Sequence, residues 1–181
     1  MNPFHTIGHS NRSLAEFLEL LGSVAIDLVV DVRTVPRSRA NPQFNKDTMA
    51  ESLAPFQISY EHVPALGGRR GKASTVSADV NAFWTNDSFH NYADYALSSD
   101  FHAGLEQLME RGRKRRCVMM CSEAVWWRCH RRIVADYLIA HGEAVFHIMG
   151  PSRLQPARLT AGAIVQPDRT VIYPRLSPTD S

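Results

Sequence analysis

Short apolar runs alternate along this chain with stretches in which apolar residues recur every three or four positions. Residues 4–8 form a first strand-like run, and residues 26–32 a second. The second is apolar on both faces, through Ile26, Leu28, Val29, Val30 and Val32. A strand with both faces apolar suits a buried parallel sheet. Between them, Leu14, Phe17, Leu18 and Leu21 repeat at helical spacing, and Gly22 ends the pattern. Ser13 and Glu16 open this helix with capping-box spacing, so each side chain can reach an orphan N–H of the other. The patterning predicts a short helix over 46–53, a third strand over 58–63 and a flexible basic loop over 66–72. A helical stretch carrying Tyr92, Tyr95 and Leu97 follows, then another over 101–109. A fourth strand over 116–120 leads into Cys121. Ile133, Val134, Tyr137 and Leu138 mark a helix over 128–141, stopped by Gly142. A fifth strand covers 144–148.

After Gly150 five prolines break the pattern, and 163–165 with 171–173 suggest a small hairpin around Pro167-Asp168. Strands alternating with helices predict an α/β fold of three layers: a mostly parallel sheet of about five strands with helices on both faces. Residues 1–150 form the α/β domain; 151–181 form a C-terminal extension, packed on the domain or partly loose.

Composition narrows the functional classes. At 181 residues the chain needs no disulfide or metal staple to fold. A net charge of +2 is too small to argue by itself for nucleic acid or a membrane partner. Three cysteines without framework spacing suit reduced thiols in a cytoplasmic protein. The opening residues lack the basic-then-apolar pattern of a signal peptide, and no apolar run approaches the roughly 20 residues of a membrane span.

In open parallel sheets, ligands bind beyond the carboxyl ends of the strands. Those positions here hold Gly8-His9-Ser10-Asn11, Asp31-Val32-Arg33, Leu66-Gly67-Gly68-Arg69 and Cys121-Ser122-Glu123. Cys121 stands between a strand and a helix, where the helix dipole, Arg33 and Arg128 would favour the thiolate. Cys117 lies inside the strand and should be buried and inert. Cys121, Glu123 and His9 are therefore the candidate catalytic residues, with Glu123 as acid or base. Ser10, Asn11, Arg33, Gly67, Gly68, Arg69, Arg128, His130 and Arg131 are the candidate substrate-binding residues. Structural alternatives stand beside these roles: a buried cysteine, a carboxylate complementing a helix start, a plain Asp31–Arg33 ion pair.

Cys129 is a candidate resolving thiol for Cys121. No metal or cofactor is assigned: adjacent residues of a helix point about 100° apart, so Cys129 and His130 would diverge. Arg37 and Arg39 extend a positive lip, whereas the run from Arg111 to Arg116 falls at the opposite end of the sheet, as a solvated loop or a backbone contact for nucleic acid. Trp126 and Trp127 cover the site, stack on a planar ligand, or pack in the core.

The motifs Thr6-Ile7-Gly8-His9-Ser10, Asp31-Val32-Arg33 with Pro36 and Ser38, Leu66-Gly67-Gly68, and Cys121-x-Glu123 followed by Cys129-His130-Arg131 resemble a bacterial and archaeal family known as domain of unknown function 488. They span residues 6–150. The strand ending in Asp31-Val32-Arg33, and Cys121 opening a loop before a helix, are more loosely similar to the rhodanese sulfurtransferase fold. That resemblance implies a sulfur-carrying cysteine, although this loop holds Glu123, Val125, Trp126 and Trp127 in place of the small residues of a rhodanese loop. Three readings follow: an enzyme using Cys121 on an anionic small molecule or nucleotide, a non-catalytic nucleotide or nucleic-acid binding module, and a structural or partner-binding domain.

Overall fold

A computed structural model of the chain describes residues 1–178. Five parallel strands form its centre: β1 (Phe4–Gly8), β2 (Leu28–Asp31), β3 (Ser59–His62), β4 (Cys117–Cys121) and β5 (Val145–Gly150). They lie in the order β3-β2-β4-β1-β5, and a sixth strand, β6 (Arg153–Pro156), pairs antiparallel with β5. The expected five strands thus become six. Pro151 and Ser152, the latter at φ 56°, turn the chain back on itself. All four residues of β6 are exposed, so it lacks the alternation that marks a half-buried strand, and Pro156 is tolerated because β6 is an edge.

The pleat divides the core in two. Leu28, Val30, Cys117, Met119 and Cys121 face one side, packed under α3 (Asp87–Tyr95), α4 (Ser99–Lys114) and α5 (Arg131–Ala140). Ile7, Val29, Val118, Met120 and Ile148 face the other, against α1 (Leu14–Ser23) and α2 (Lys46–Leu53). This is the three-layer α/β fold that the alternating pattern implies. The Ser13 hydroxyl accepts the Glu16 N–H at 3.1 Å, which is the first half of the capping box.

Three local differences bear on the site. The stretch 64–70 is held in place: the Arg70 guanidinium donates to the Gly67 and Pro64 carbonyls at 3.0 and 2.7 Å and lies 3.7 Å over the Tyr95 ring. The basic run is mainly the last turn of α4, where cations complement the helix dipole. It is also paired: Arg111 with Glu61, Arg113 with Glu143, Arg115 with Asp27. The fifth helix starts at Arg131, later than the periodicity implied. Trp126–Arg128 form a 3-10 turn, and Cys129 is extended at φ −124°, ψ 145°.

The hairpin around Pro167-Asp168 is present as β7 (Ile164–Val165) and β8 (Val171–Ile172). It packs on α5, where Tyr137 donates to the Val171 carbonyl at 3.2 Å and Tyr173 to Asp136 at 2.7 Å. The expectation of a loose end falls partly on 179–181, outside the described residues. Among the described residues, no helix is long and apolar enough to cross a membrane.

Candidate active site

The carboxyl ends of β1, β2 and β4 are tied together by backbone bonds that continue the ladder into the loops. The His9 N–H donates to the Cys121 carbonyl at 2.8 Å, Ser10 to Ser122 at 3.0 Å, and Val32 to Met120 at 3.0 Å. Gly8 is required here, because a Cβ on it would stand 1.8 Å from the Glu123 carbonyl oxygen. The loop after Cys121 therefore lies directly across the end of β1. Arg131 holds it from below: fully buried, it donates to the Glu123 carbonyl at 2.6 Å and the Ala124 carbonyl at 3.2 Å. Arg131, expected to touch substrate, is an anchor for the loop.

On the α1–α2 side of the rim, Asp31 binds Arg33 through both oxygens, at 2.9 Å to Nε and 2.7 Å to Nη2. The Tyr60 hydroxyl donates to the same carboxylate. Arg33 also donates to the Phe44 carbonyl at 2.6 Å and to His9 Nε2 at 3.2 Å. His9 stacks on Phe44 at 4.4 Å, and its Nδ1 lies 2.8 Å from the Ser10 carbonyl. These partners assign the proton to Nδ1 and leave Nε2 as the acceptor for Arg33. Burial, with Arg33 alongside, holds His9 below the ordinary imidazole pKa. Both ring nitrogens of His9 are thus engaged, and the ring is 1% exposed. The expected ion pair exists, and Arg33 still presents an edge to the cavity described next.

Cys121 reaches toward α5. Its Sγ lies 4.0 Å from His130 Nδ1, and Cys129 Sγ lies 3.6 Å from the same nitrogen. His130 Nε2–H donates to the Val32 carbonyl at 2.8 Å, which aims Nδ1 at both sulfurs, as donor to the Cys121 thiolate when protonated and as acceptor for the Cys129 thiol when not. Gly68 backs the ring: a Cβ there would be 2.4 Å from Nδ1. The Cys129 thiol and then His130 and Arg131 draw the Cys121 thiol well below its ordinary pKa, against the effect of burial. Cys129 moves the opposite way, well above the ordinary value, through burial and the neighbouring Cys121. The two shifts oppose each other, favouring charge on Cys121 and the proton on Cys129. Cys117, fully buried in β4, is pushed up to about 12 by burial, as its place inside the strand implies.

Cys129 and His130 do not diverge as helical spacing implies, because neither stands inside the helix. The donor atoms of Cys121, Cys129 and His130 all lie within 4.8 Å of one another. Two sulfurs and an imidazole at this spacing form a donor set that a thiophilic cation accepts. The same atoms are also matched to one another as thiolate, thiol and base.

A cavity of about 310 Å³ opens over Cys121. That is the lower end of the range for small-molecule sites. Arg33, Arg37, Arg69 and Arg128 line it, with Glu123 and Gly68. Arg37 is paired with Asp47 at 3.0 Å on the surface, and Arg33 with Asp31. Arg69 and Arg128 have no acidic partner among the described residues. Glu123 is exposed, its carboxylate accepting the Val125 N–H at 3.4 Å. Ser10, Asn11 and Gly67 do not line the cavity. Gly67 instead lets the chain pass Thr34, whose Oγ1 would be 2.5 Å from an added Cβ. Trp126 stacks on His147 at 4.6 Å and donates to Gln155 at 3.2 Å; neither it nor Trp127 lines the cavity. Thr34 and Phe89 are walls that no strand-end rule points to; only the Asn86 cap of α3, which accepts the Phe89 N–H at 3.2 Å, marks where Phe89 begins its helix.

No curated protein and no solved structure matches the chain. A family model described as Domain of unknown function DUF488 matches residues 13–138, a span that includes Arg33, Gly68, Cys121, Cys129 and His130. With that match over most of its length, the chain belongs to the DUF488 family.

Proposed function

We propose that the chain is a thiol-dependent enzyme in which Cys121 attacks an electrophilic centre of an anionic small molecule. One observation carries this reading: Cys121 lines an arginine-rich cavity, with the Cys129 thiol and the His130 imidazole within 4.8 Å of its sulfur. Arg69 and Arg128 orient the anion, since neither charge is spent on a carboxylate among the described residues. Arg33 and Asp31 are a rigid pair, and His9 with Phe44 and Tyr60 fixes their position. His9 is thus a positioning residue. The thiolate supplies the electron pair of the new sulfur–substrate bond. The bond to the leaving group breaks, and that group departs with its pair. Glu123, at the cavity mouth, is placed to exchange a proton with it.

Two alkylating agents of nearly equal size test this reading. Iodoacetate carries a charge and iodoacetamide does not. The expected result is that Cys121 reacts faster than Cys117 with both agents, and that the iodoacetate-to-iodoacetamide rate ratio at Cys121 falls in an Arg69→Ala, Arg128→Ala double variant. A sluggish Cys121 defeats the nucleophile. A ratio untouched by the double variant defeats the anion site.

A further inference from the structure

The nucleophile reading uses one thiol and leaves the second without a role. Cys129 is 4% exposed, in contact with the same histidine, and on a different segment of the chain from Cys121. A structural cysteine is buried too, but it needs neither a second thiol nor a histidine beside it. We infer that Cys129 is the resolving thiol of Cys121, and that the chain carries out dithiol–disulfide exchange with low-molecular-weight disulfides that bear carboxylates. This rests on the nucleophile reading and adds the reaction class and the substrate class.

Four observations support it. The two sulfurs and Nδ1 lie within 4.8 Å of one another, so side-chain rotation and a small backbone shift bring the sulfurs to the bonding distance of about 2 Å. Cys129 is extended and lies before the first residue of α5, so its backbone can give without breaking a helical turn. The roles of the sulfurs are already divided: Cys121 is the one stabilised as thiolate, and Cys129 retains its proton. His130 Nδ1 is 3.6 Å from that thiol, with Nε2–H committed to Val32, so one nitrogen is available to take the Cys129 proton. Cys117 cannot substitute. It is four residues earlier in an extended strand, about 13 Å from Cys121, deeper under the same face of the sheet.

The cations of the cavity select the partner. Arg69 and Arg128 stand beside the sulfur without acidic partners among the described residues, and a guanidinium pairs with a carboxylate through two parallel N–H bonds. In the first step, the Cys121 thiolate attacks one sulfur of the disulfide R–S–S–R. A Cys121–S–S–R bond forms, the R–S–S–R bond breaks, and R–S⁻ leaves with the pair. In the second step, Cys129 gives its proton to His130 and attacks the Cys121 sulfur. The Cys121–Cys129 bond forms, the Cys121–S–R bond breaks, and a second R–S⁻ leaves with the pair. The first R–S⁻ takes the proton that Cys121 had given to His130 Nδ1, and the second takes the Cys129 proton through the same nitrogen. Two protein thiols are oxidised, and one disulfide is reduced to two thiols.

Oxidised glutathione is the probe, and intact mass with peptide mapping is the readout on the full chain. The wild-type chain is expected to lose two hydrogens, retain no glutathione, and yield a Cys121–Cys129 linked peptide. Cys129→Ser is expected to keep one glutathione on Cys121, and Cys129→Ala, checked by circular dichroism, guards against a folding defect of the serine variant. Cys121→Ser is expected to stay unmodified at Cys129. A wild-type chain that keeps a stable adduct, or behaves as Cys129→Ala does, overturns the inference. If Cys121 is alkylated rapidly yet no bridge forms, this inference alone fails. If Cys121 is also sluggish toward iodoacetamide, the nucleophile reading falls with it.

Discussion

Replacing Gly68 by alanine puts a methyl group where the loop meets the His130 ring. The new carbon would stand 2.4 Å from Nδ1, 2.7 Å from Cγ and 2.9 Å from Cε1. Favourable carbon contacts lie at about 3.5 Å or more, so the ring must retreat by roughly 1 Å. Its Nε2 is tethered to the Val32 carbonyl at 2.8 Å, so the retreat becomes a pivot that carries Nδ1 off the sulfurs. Nδ1, donating to the Cys121 thiolate, is already 4.0 Å from its Sγ, at the limit of a sulfur hydrogen bond, so the pivot ends that contact. A hydrogen bond to a charged group contributes about 1.5–3 kcal/mol, and 1.36 kcal/mol equals one pKa unit. The Cys129 thiol, the larger influence on Cys121, stays in place, so the lower end of that range applies. Gly68→Ala is therefore expected to raise the midpoint of Cys121 alkylation by about 1 pH unit. The assay is the pH dependence of the iodoacetamide rate at Cys121 by peptide mass spectrometry, with circular dichroism to establish folding. A folded variant whose midpoint matches the wild type refutes the role given to His130.

Two further outcomes test the scaffold. Arg131→Met leaves the Glu123 and Ala124 carbonyls without their buried donor, so unfolding in urea should show a loss of about 2–4 kcal/mol; a change below about 0.5 kcal/mol contradicts the anchoring role. His147 is pushed down to about 3, by burial first and then by Arg131, so its folded-state pKa lies below its unfolded value. Its contribution is intact above an unfolded pKa of about 6.5 and is lost as pH falls from there toward 3. His5 and His9 shift the same way. At pH 5, His147 alone should cost about 2 kcal/mol relative to pH 7, seen as a lower Tm that His147→Gln makes less steep; equal Tm values at the two pH values contradict the buried neutral ring.

β1, β2 and β4 were legible because each is buried on both faces, which leaves runs such as Leu28-Val29-Val30 uninterrupted by polar residues; β3, a partly exposed edge strand, was marked by the apolar Ile58 and Val63 at its ends. α2 was legible to its end residues. β6 was not: Arg153, Leu154, Gln155 and Pro156 bury nothing, and their pairing comes from the neighbouring β5. The start of α5 was misplaced because the stripe Ile133, Val134, Tyr137 runs back smoothly through Trp126 and Arg128, while the local chain is a 3-10 turn and then extended. That difference carries chemistry, since it is what turns Cys129 and His130 together. The meeting of Arg33, Gly68 and Cys121 followed from the rule for strand ends. Arg131 did not, because a charged residue at a helix start reads as exposed, and only the path of the 123–124 carbonyls gives it buried partners.

Everything functional depends on Cys121 being an anion that solvent can reach, unlike the cysteine four residues before it. The most direct measurement is the rate of iodoacetamide labelling at Cys121 and Cys117 across pH, read peptide by peptide. Cys121 should label with a midpoint well below the ordinary thiol value of about 8.5, and Cys117 should stay unreactive until pH approaches 12 or the chain unfolds. Equal, slow labelling of both cysteines with a common midpoint near about 8.5 would contradict the account.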